Sequence, residues 1–430
     1  MTAAPPHANE TLDLVVPECI ACGVDFKIIG DPFLHDRLNS KRQSRGHSGK
    51  FMTIYPPDDD AFAELIEQLY RTTRDTEVAG PRILSDRQYK DSSVLYYRYG
   101  GFNPPRRVRS DGTYETLLIS PRDRPLVDER LPYFQLPEWV DDPFRAQPRQ
   151  SESGGVLLAE RYLVEAALGF SNSGGVYQAT DTRTNEAVFI KEARPLTNCW
   201  SRQDRLVDAV SLLRREFVTL RRLHDLTFVP DPLELVEESS HLFLVEQHIP
   251  AVTLRQYWAF ADVILAPYIR IPGRIESWTE KFMQVAAKLI RMVSTIHGRG
   301  VLLGDLSPDN ILINTATLRM WLVDFESAVD STDDAELVRH AAMWGTPGFV
   351  SPRRAERRVL LPDDDLHAVG LILYSGLASV TSLFDLEPAG LDRFLDEFTA
   401  LGLPEVVGEI IRSLLQGDGD KALSLLDTGT

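Results

Sequence analysis

Residues 301–329 read VLLGDLSPDNILINTATLRMWLVDFESAV. Two apolar runs, ILIN and MWLV, have the length and β-branched or aromatic content of short strands. Three oxygen-bearing side chains flank these runs, Asp305 and Asn310 before them and Asp324 after them. A carboxylate at the first place can orient an attacking hydroxyl and accept its proton, while amide and carboxylate oxygens at the other two suit magnesium, a hard cation that favours oxygen ligands. Asp309 reads as a loop-capping carboxylate.

Working outward, the upstream chain carries GFSNSGGV over residues 169–176 between two strand-like runs, with Ser171 in the second glycine place of a GxGxxGxV pattern. Alone this would be a hairpin turn, but VFIK over 188–191 follows it, and Glu216 in LLRREFVTLRRLH supplies a helix carboxylate for Lys191. Downstream lie GTPGFVSP (345–352) and DLHAVG (365–370). In this order the segments resemble the protein kinases: a glycine-rich loop, a strand lysine, the HRDxxxxN loop, a DFG-like Asp324-Phe325-Glu326, the end of an activation segment and a buried Asp-x-x-x-x-Gly helix. The resemblance implies that Gly169, Gly174, Val176, Lys191, Glu216 and Glu246 bind ATP or another NTP, that Asp305 is catalytic together with Lys191, and that Asn310 and Asp324 hold Mg2+. Gly304 stands where a histidine would precede Asp305, and Glu326 replaces the DFG glycine. The groups that perform phosphoryl transfer all remain, so an active kinase is expected over a nucleotide-binding pseudokinase.

With 430 residues, 25% charged and 43% hydrophobic, the chain has room for two globular domains. The boundary falls near residue 150, in PFRAQPRQSESGGVLL (143–158). No stretch approaches a membrane-spanning length and MTAAPPHANE lacks the features of a signal peptide, so a cytoplasmic protein without membrane partners is expected. Cys19, Cys22 and Cys199 do not make a disulfide framework, and the first two read as helix-core residues rather than half a zinc site. A net charge of −17 argues against nucleic acid as a partner. Most of the excess acid lies beyond residue 150, leaving the first part nearly balanced and able to hold a small basic pocket.

That first part reads as α+β: helices through LDLVVPECIACG and AFAELIEQLYR, strands around FKII, KFMTIYP and VLYYRYGGF. It also carries LNSK (38–41), GHSGKF (46–51), GPRILSD (80–86) and YYRYGGF (96–102). At these runs the chain resembles the class III lanthipeptide synthetases, whose first domain is a phosphoserine/phosphothreonine lyase and whose second is a Ser/Thr kinase. The implied fold is a lyase-like α+β domain over 1–150 followed by a bilobal kinase-like domain over 151–430, with no cyclase domain, as in the didomain enzymes of lipolanthine pathways. A truncated chain is the competing explanation for that missing domain. The resemblance places the elimination base on Lys27, where a short apolar strand implies partial burial favouring the neutral amine. It makes Lys41, Lys50 and Arg98 phosphate-holding cations, with Tyr99 and Ser48 as hydrogen-bond donors. The family's Lys-x-His strand, source of its general acid, would precede Met1; a start further upstream is expected, and otherwise His7, His35 or His47 must substitute. The implied substrate is a ribosomal precursor peptide, leader plus core, with a separate decarboxylase or cyclase as a further partner. The alternatives are a Ser/Thr kinase with a non-catalytic docking domain, and a nucleotide-gated scaffold that binds a leader peptide.

Overall fold

Thr11, Val15 and Cys19 recur at four-residue spacing, which puts them on one face of a helix. The computed structural model describes residues 1–129, 131–144, 156–202, 205–260 and 264–428, and forms that helix as α1 (Ala8–Ala21) with all three side chains buried. Core packing thus holds for Cys19, whereas Cys22, just past the helix end, is exposed. Next, β1 (Asp25–Ile28) pairs antiparallel with β2 (Met52–Tyr55), setting Lys27 opposite Thr53. Between them in sequence lies α2 (Pro32–Asn39), capped by the Asp31 carboxylate, which accepts from the Phe33 N–H at 2.9 Å. α3 (Asp59–Thr73) begins at Asp58, whose carboxylate accepts from the Ala61 N–H at 2.8 Å, with Asp59 and Asp60 set favourably in its first turn. Its Leu65, Ile66 and Leu69 pack with Val15, Phe51, Met52 and Leu95 as the core of this region.

Residues Met1–Ala4 are buried against that core. The Met1 carbonyl accepts from the N–H groups of Phe51 and Met52 at 3.1 and 3.2 Å, and the Thr2 N–H donates to the Val94 carbonyl at 2.9 Å. Two further sheets complete the region, β3 (Arg87–Gln88) with β4 (Tyr96–Tyr97), and the antiparallel β5 (Arg106–Val108), β6 (Tyr114–Ile119) and β7 (Pro125–Val127). The strand expected around VLYYRYGGF is the short β4, which stops at Tyr97. Arg98 instead turns to donate to the Tyr99 carbonyl at 3.1 Å and to the Asp128 carboxylate. The expected boundary near residue 150 lies outside the described residues.

A six-stranded sheet follows in the order β14-β15-β11-β10-β9-β8, built from β8 (Val156–Leu158), β9 (Tyr162–Phe170), β10 (Gly175–Asp181), β11 (Glu186–Ala193), β14 (Pro232–Glu238) and β15 (His241–Gln247). Between β11 and β14 in sequence come β12 (Trp200–Arg202), β13 (Arg205–Val207) and helix α4 (Ala209–Leu223). By packing, the chain divides into two compact units, residues 1–213 with 235–245 and residues 214–234 with 246–430. The first therefore joins the lyase-like region to most of the sheet.

The second unit is mainly helical. β16 (Val252–Thr253) leads into α5 (Leu254–Ala259), and α6 (Arg274–Gly298) buries a continuous stripe from Trp278 to Ile296. The short strands β17 (Val301–Leu302), β18 (Ile311–Ile313), β19 (Met320–Leu322) and β20 (Val329–Asp330) carry the 301–329 segment; β18 and β19 are the two expected strands and pair as an antiparallel hairpin. Helices α7 (Ala335–Ala341), α8 (Pro352–Arg357), α9 (Pro362–Ser375), α10 (Ala389–Ala400), α11 (Glu405–Leu415) and α12 (Gly419–Thr428) follow. Of these, α9 is buried along almost its whole length. Among the described residues no helix is long and apolar enough to cross a membrane.

Candidate active sites

The lyase-like region encloses a cleft of about 1660 Å³ into which β1, β2 and the loops after β4 and β7 present their side chains. Lys27, Lys50, Arg98, Tyr99 and His47 line it; Lys41, Ser48, His7 and His35 do not. Lys50 pairs with Asp86 at 3.2 Å and Arg98 with Asp128, so two of the cations meet carboxylates that also line the cleft. Lys27 is exposed, its Nζ 5.5 Å from the centre of the Tyr55 ring. The partial burial inferred from its apolar strand is not found, because β1 and β2 form a two-stranded sheet and Lys27 faces the open cleft. Arg106 and Arg109 also line the cleft and escaped the sequence reading, although the RRVR run from 106 to 109 was a visible signal. Trp139 lines it too, with a buried indole N–H lacking a hydrogen-bond partner among the described residues, a donor suited to a ligand oxygen.

His35 is a core residue: stacked on Phe51, it contacts the Ala3 carbonyl through Nε2 at 3.0 Å, and burial pulls its pKa down. Lys41 and Ser48 lie where the lyase-like region meets the glycine-rich loop. The Lys41 carbonyl accepts from the Asn172 N–H at 3.1 Å, and the Ser48 hydroxyl accepts from Arg194 at 3.3 Å. The LNSK run thus contributes its backbone and Asn39, which bonds the Leu196 carbonyl and the Cys199 N–H at 2.9 and 2.7 Å.

On the sheet, Val176 faces Lys191 directly across β10 and β11. Gly174 is tied to the same strand, since a Cβ there would lie 1.7 Å from the Glu192 carbonyl oxygen and no side chain fits. The Glu192 carboxylate collects His241 and Tyr177, both at 2.6 Å, and Arg45 at 3.2 Å. Burial alone would raise this carboxyl, but the hydrogen bonds and the Arg45 charge outweigh it and hold the group at about 2 against an ordinary 4.5. A carboxyl depressed by folding stabilises above its unfolded pKa, and that contribution, about 3 kcal/mol, is lost as pH falls through the folded one. The melting temperature of the full chain is therefore expected to fall more steeply with acidification from pH 4.5 toward 2 than that of a Glu192→Gln variant; parallel curves would refute this.

In the second unit the Asp305 carboxylate accepts from both the N–H and the hydroxyl of Thr346 at 2.8 Å, and Asn310 donates to the Asp305 carbonyl at 2.7 Å. Asp365 anchors this loop from α9, accepting from the Leu303 and Gly304 N–H groups at 2.8 and 2.9 Å and meeting His297 at 2.9 Å. Gly304 has φ +78° and would bring a Cβ to 2.9 Å from the Ser327 carbonyl, which explains why no side chain stands before Asp305. The left-handed residue of the next motif is Asp324, at φ +65°, so position 326 tolerates glutamate. Glu216, 1% exposed, accepts from the Phe325 N–H at 2.9 Å, and Glu246 is likewise buried. Asp309, read as a loop cap, instead pairs with Arg255 at 2.8 Å. The buried Arg354, missed in the sequence, donates to the carbonyls of Gly304, Ala341, Ala342 and Trp344 and so ties the activation segment to the catalytic loop.

No group of three or more His, Cys, Asp or Glu residues suited to a metal ion occurs among the described residues. Magnesium on a nucleotide needs only one or two protein oxygen ligands besides phosphate, which an Asn310 amide and an Asp324 carboxylate fit.

Residues 162–392 match the protein kinase domain family. The chain belongs to the protein kinases. Ahead of this kinase domain, residues 1–155 match the family described as RamC, N-terminal domain. Over 413 residues the chain is 33% identical to the probable SapB synthase of Streptomyces coelicolor, covering 95% of this kinase and 41% of that protein. The similarity to class III lanthipeptide synthetases is thereby extended across both domains. The serine/threonine-protein kinase pkn3 of Myxococcus xanthus is 27% identical over 237 residues, 53% of this chain and 39% of its own. The kinase RqkA of Deinococcus radiodurans is 30% identical over 220 residues, 51% of this chain and 30% of its own. The chain thus spans less than half the length of each of these relatives.

Proposed function

We propose that this kinase dehydrates Ser and Thr residues of a ribosomal precursor peptide in two steps, phosphorylation and then β-elimination of the phosphate. The observation that carries the reading is that Lys27, Lys50, Arg98 and His47 converge on one cleft in a chain that also holds the whole phosphoryl-transfer set. In the first step Asp305 orients the peptide hydroxyl and takes its proton as oxygen bonds to the γ-phosphorus and the nucleotide diphosphate leaves. Lys191 neutralises nucleotide phosphates, and magnesium held by Asn310 and Asp324 would offset the remaining charge.

In the second step Lys27 removes the α-proton, its electrons form the Cα–Cβ double bond, and the Cβ–O bond breaks to release phosphate. Lys50 and Arg98 neutralise the dianion, exchanging their carboxylate partners for phosphate oxygens. His47 is the histidine in the cleft able to protonate the leaving oxygen. The product is dehydroalanine from Ser or dehydrobutyrine from Thr.

The test is intact-mass spectrometry of the genomically neighbouring precursor peptide incubated with the chain, ATP and Mg2+. Loss of one water per modified residue supports both steps. Gain of HPO3 without later loss would leave a Ser/Thr kinase with a docking domain, a reading favoured by the carboxylates that already occupy Lys50 and Arg98. Retained binding with no mass change would leave a leader-binding scaffold.

A further inference from the structure

The loop over residues 169–175 is gripped by the lyase-like region, an arrangement that neither phosphoryl transfer nor elimination requires by itself. Asn172, at the loop tip, is 0% exposed. Its side-chain Nδ2 donates to the carbonyls of Asn39 and Ser40 at 2.9 and 3.0 Å, and its backbone N–H donates to Lys41. Arg194 closes the grip from β11's C-terminal side. Its Nη1 donates to the Asn172 carbonyl at 2.7 Å and reaches the Ser48 hydroxyl, its Nη2 donates to the Arg82 carbonyl at 2.6 Å, and its own N–H donates to the Ser173 carbonyl at 2.7 Å. On the other flank the Arg45 guanidinium lies 4.6 Å from the centre of the Phe170 ring and also holds Glu192.

A glycine-rich loop has more backbone freedom to lose than most segments, and ordering it on nucleotide phosphates is correspondingly costly. Here the ordering is already done by contacts from residues 39–48 and 82. We infer that the first domain sets the nucleotide-binding conformation of the glycine-rich loop, with Asn172, Arg194 and Arg45 as positioning residues for phosphoryl transfer. This rests on reading that loop as the phosphate-binding element. It assigns the LNSK run a role in the kinase step and makes nucleotide affinity a property of the first domain as well as of the second.

The experiment is titration of the full chain with the fluorescent nucleotide TNP-ATP and Mg2+, for the wild type, Asn172→Ala and Arg45→Ala. Each variant is expected to weaken binding about tenfold, the scale of losing preorganisation in one or two anchoring side chains. Hydrogen–deuterium exchange on the unaltered chain gives a second measurement independent of variant folding. Saturating non-hydrolysable ATP analogue should slow exchange in residues 39–48 as well as in 169–176. Variants that bind as the wild type does, or nucleotide protection confined to 169–176, would overturn the inference while leaving the kinase reading intact. A wild-type chain that binds no TNP-ATP would overturn both.

Discussion

Asp305→Asn is expected to slow phosphopeptide formation about 10³-fold, with TNP-ATP affinity unchanged to about a factor of two. The carboxylate is oriented by two hydrogen bonds from Thr346, and its loop is pinned below by Asp365. An asparagine keeps the shape and can still accept from Thr346, but it has no charge with which to take the hydroxyl proton. The initial rate of HPO3 gain on the precursor peptide reads the effect. A variant retaining a tenth or more of the wild-type rate would remove Asp305 from proton transfer and leave it a scaffold for the activation segment. Thr346→Ala, which removes the hydroxyl bond but keeps the backbone N–H bond to the carboxylate, should lower the same rate by less.

Lys27→Ala is expected to stop the second step while sparing the first, so that phosphopeptide accumulates. The elimination rate on a chemically phosphorylated peptide should fall by about 10²–10⁴-fold, the usual loss for a general base. Lys27 reaches the cleft from β1, its ammonium 5.5 Å from the centre of the Tyr55 ring. Lys27 is exposed, so exclusion of water around it would have to come from a bound phosphopeptide. Unchanged elimination in the variant would exclude Lys27 and turn attention to His47, the cleft-lining histidine. Equal loss of both steps would indicate damage to the fold.

The catalytic segment was legible because its chemistry is local: Asp305, Asn310 and Asp324 closely flank two apolar runs that announce the strands. Its two departures, Gly304 and Glu326, became intelligible only with backbone angles, which place the left-handed residues at 304 and 324. In the first region, Lys27, Lys50 and Arg98 were assigned through family resemblance, and all three face the cleft. Lys41 and Ser48 were assigned in the same way and lie elsewhere, because the LNSK run contacts a loop more than a hundred residues further along the chain. No periodicity or spacing encodes such a contact. The partners of Glu192 were equally invisible, since Arg45, Tyr177 and His241 come from three separate segments. Arg106 and Arg109 were missed for a simpler reason, that a basic run near a turn usually reads as solvated surface.

The first compact unit does not end where the first domain ends; it runs on to residue 213 and takes back residues 235–245. A hybrid enzyme spliced at the linker near residue 150 would part Asn172 and Arg194 from the Asn39, Ser40 and Arg82 carbonyls they bind, leaving buried donors with mismatched acceptors. No single crossover point transfers this unit whole, because parts of two of its strands, β14 and β15, return from later in the chain. Gene segments encoding the two domains are therefore expected to be inherited together and to diverge in step, and successful chimeras should exchange them as one block.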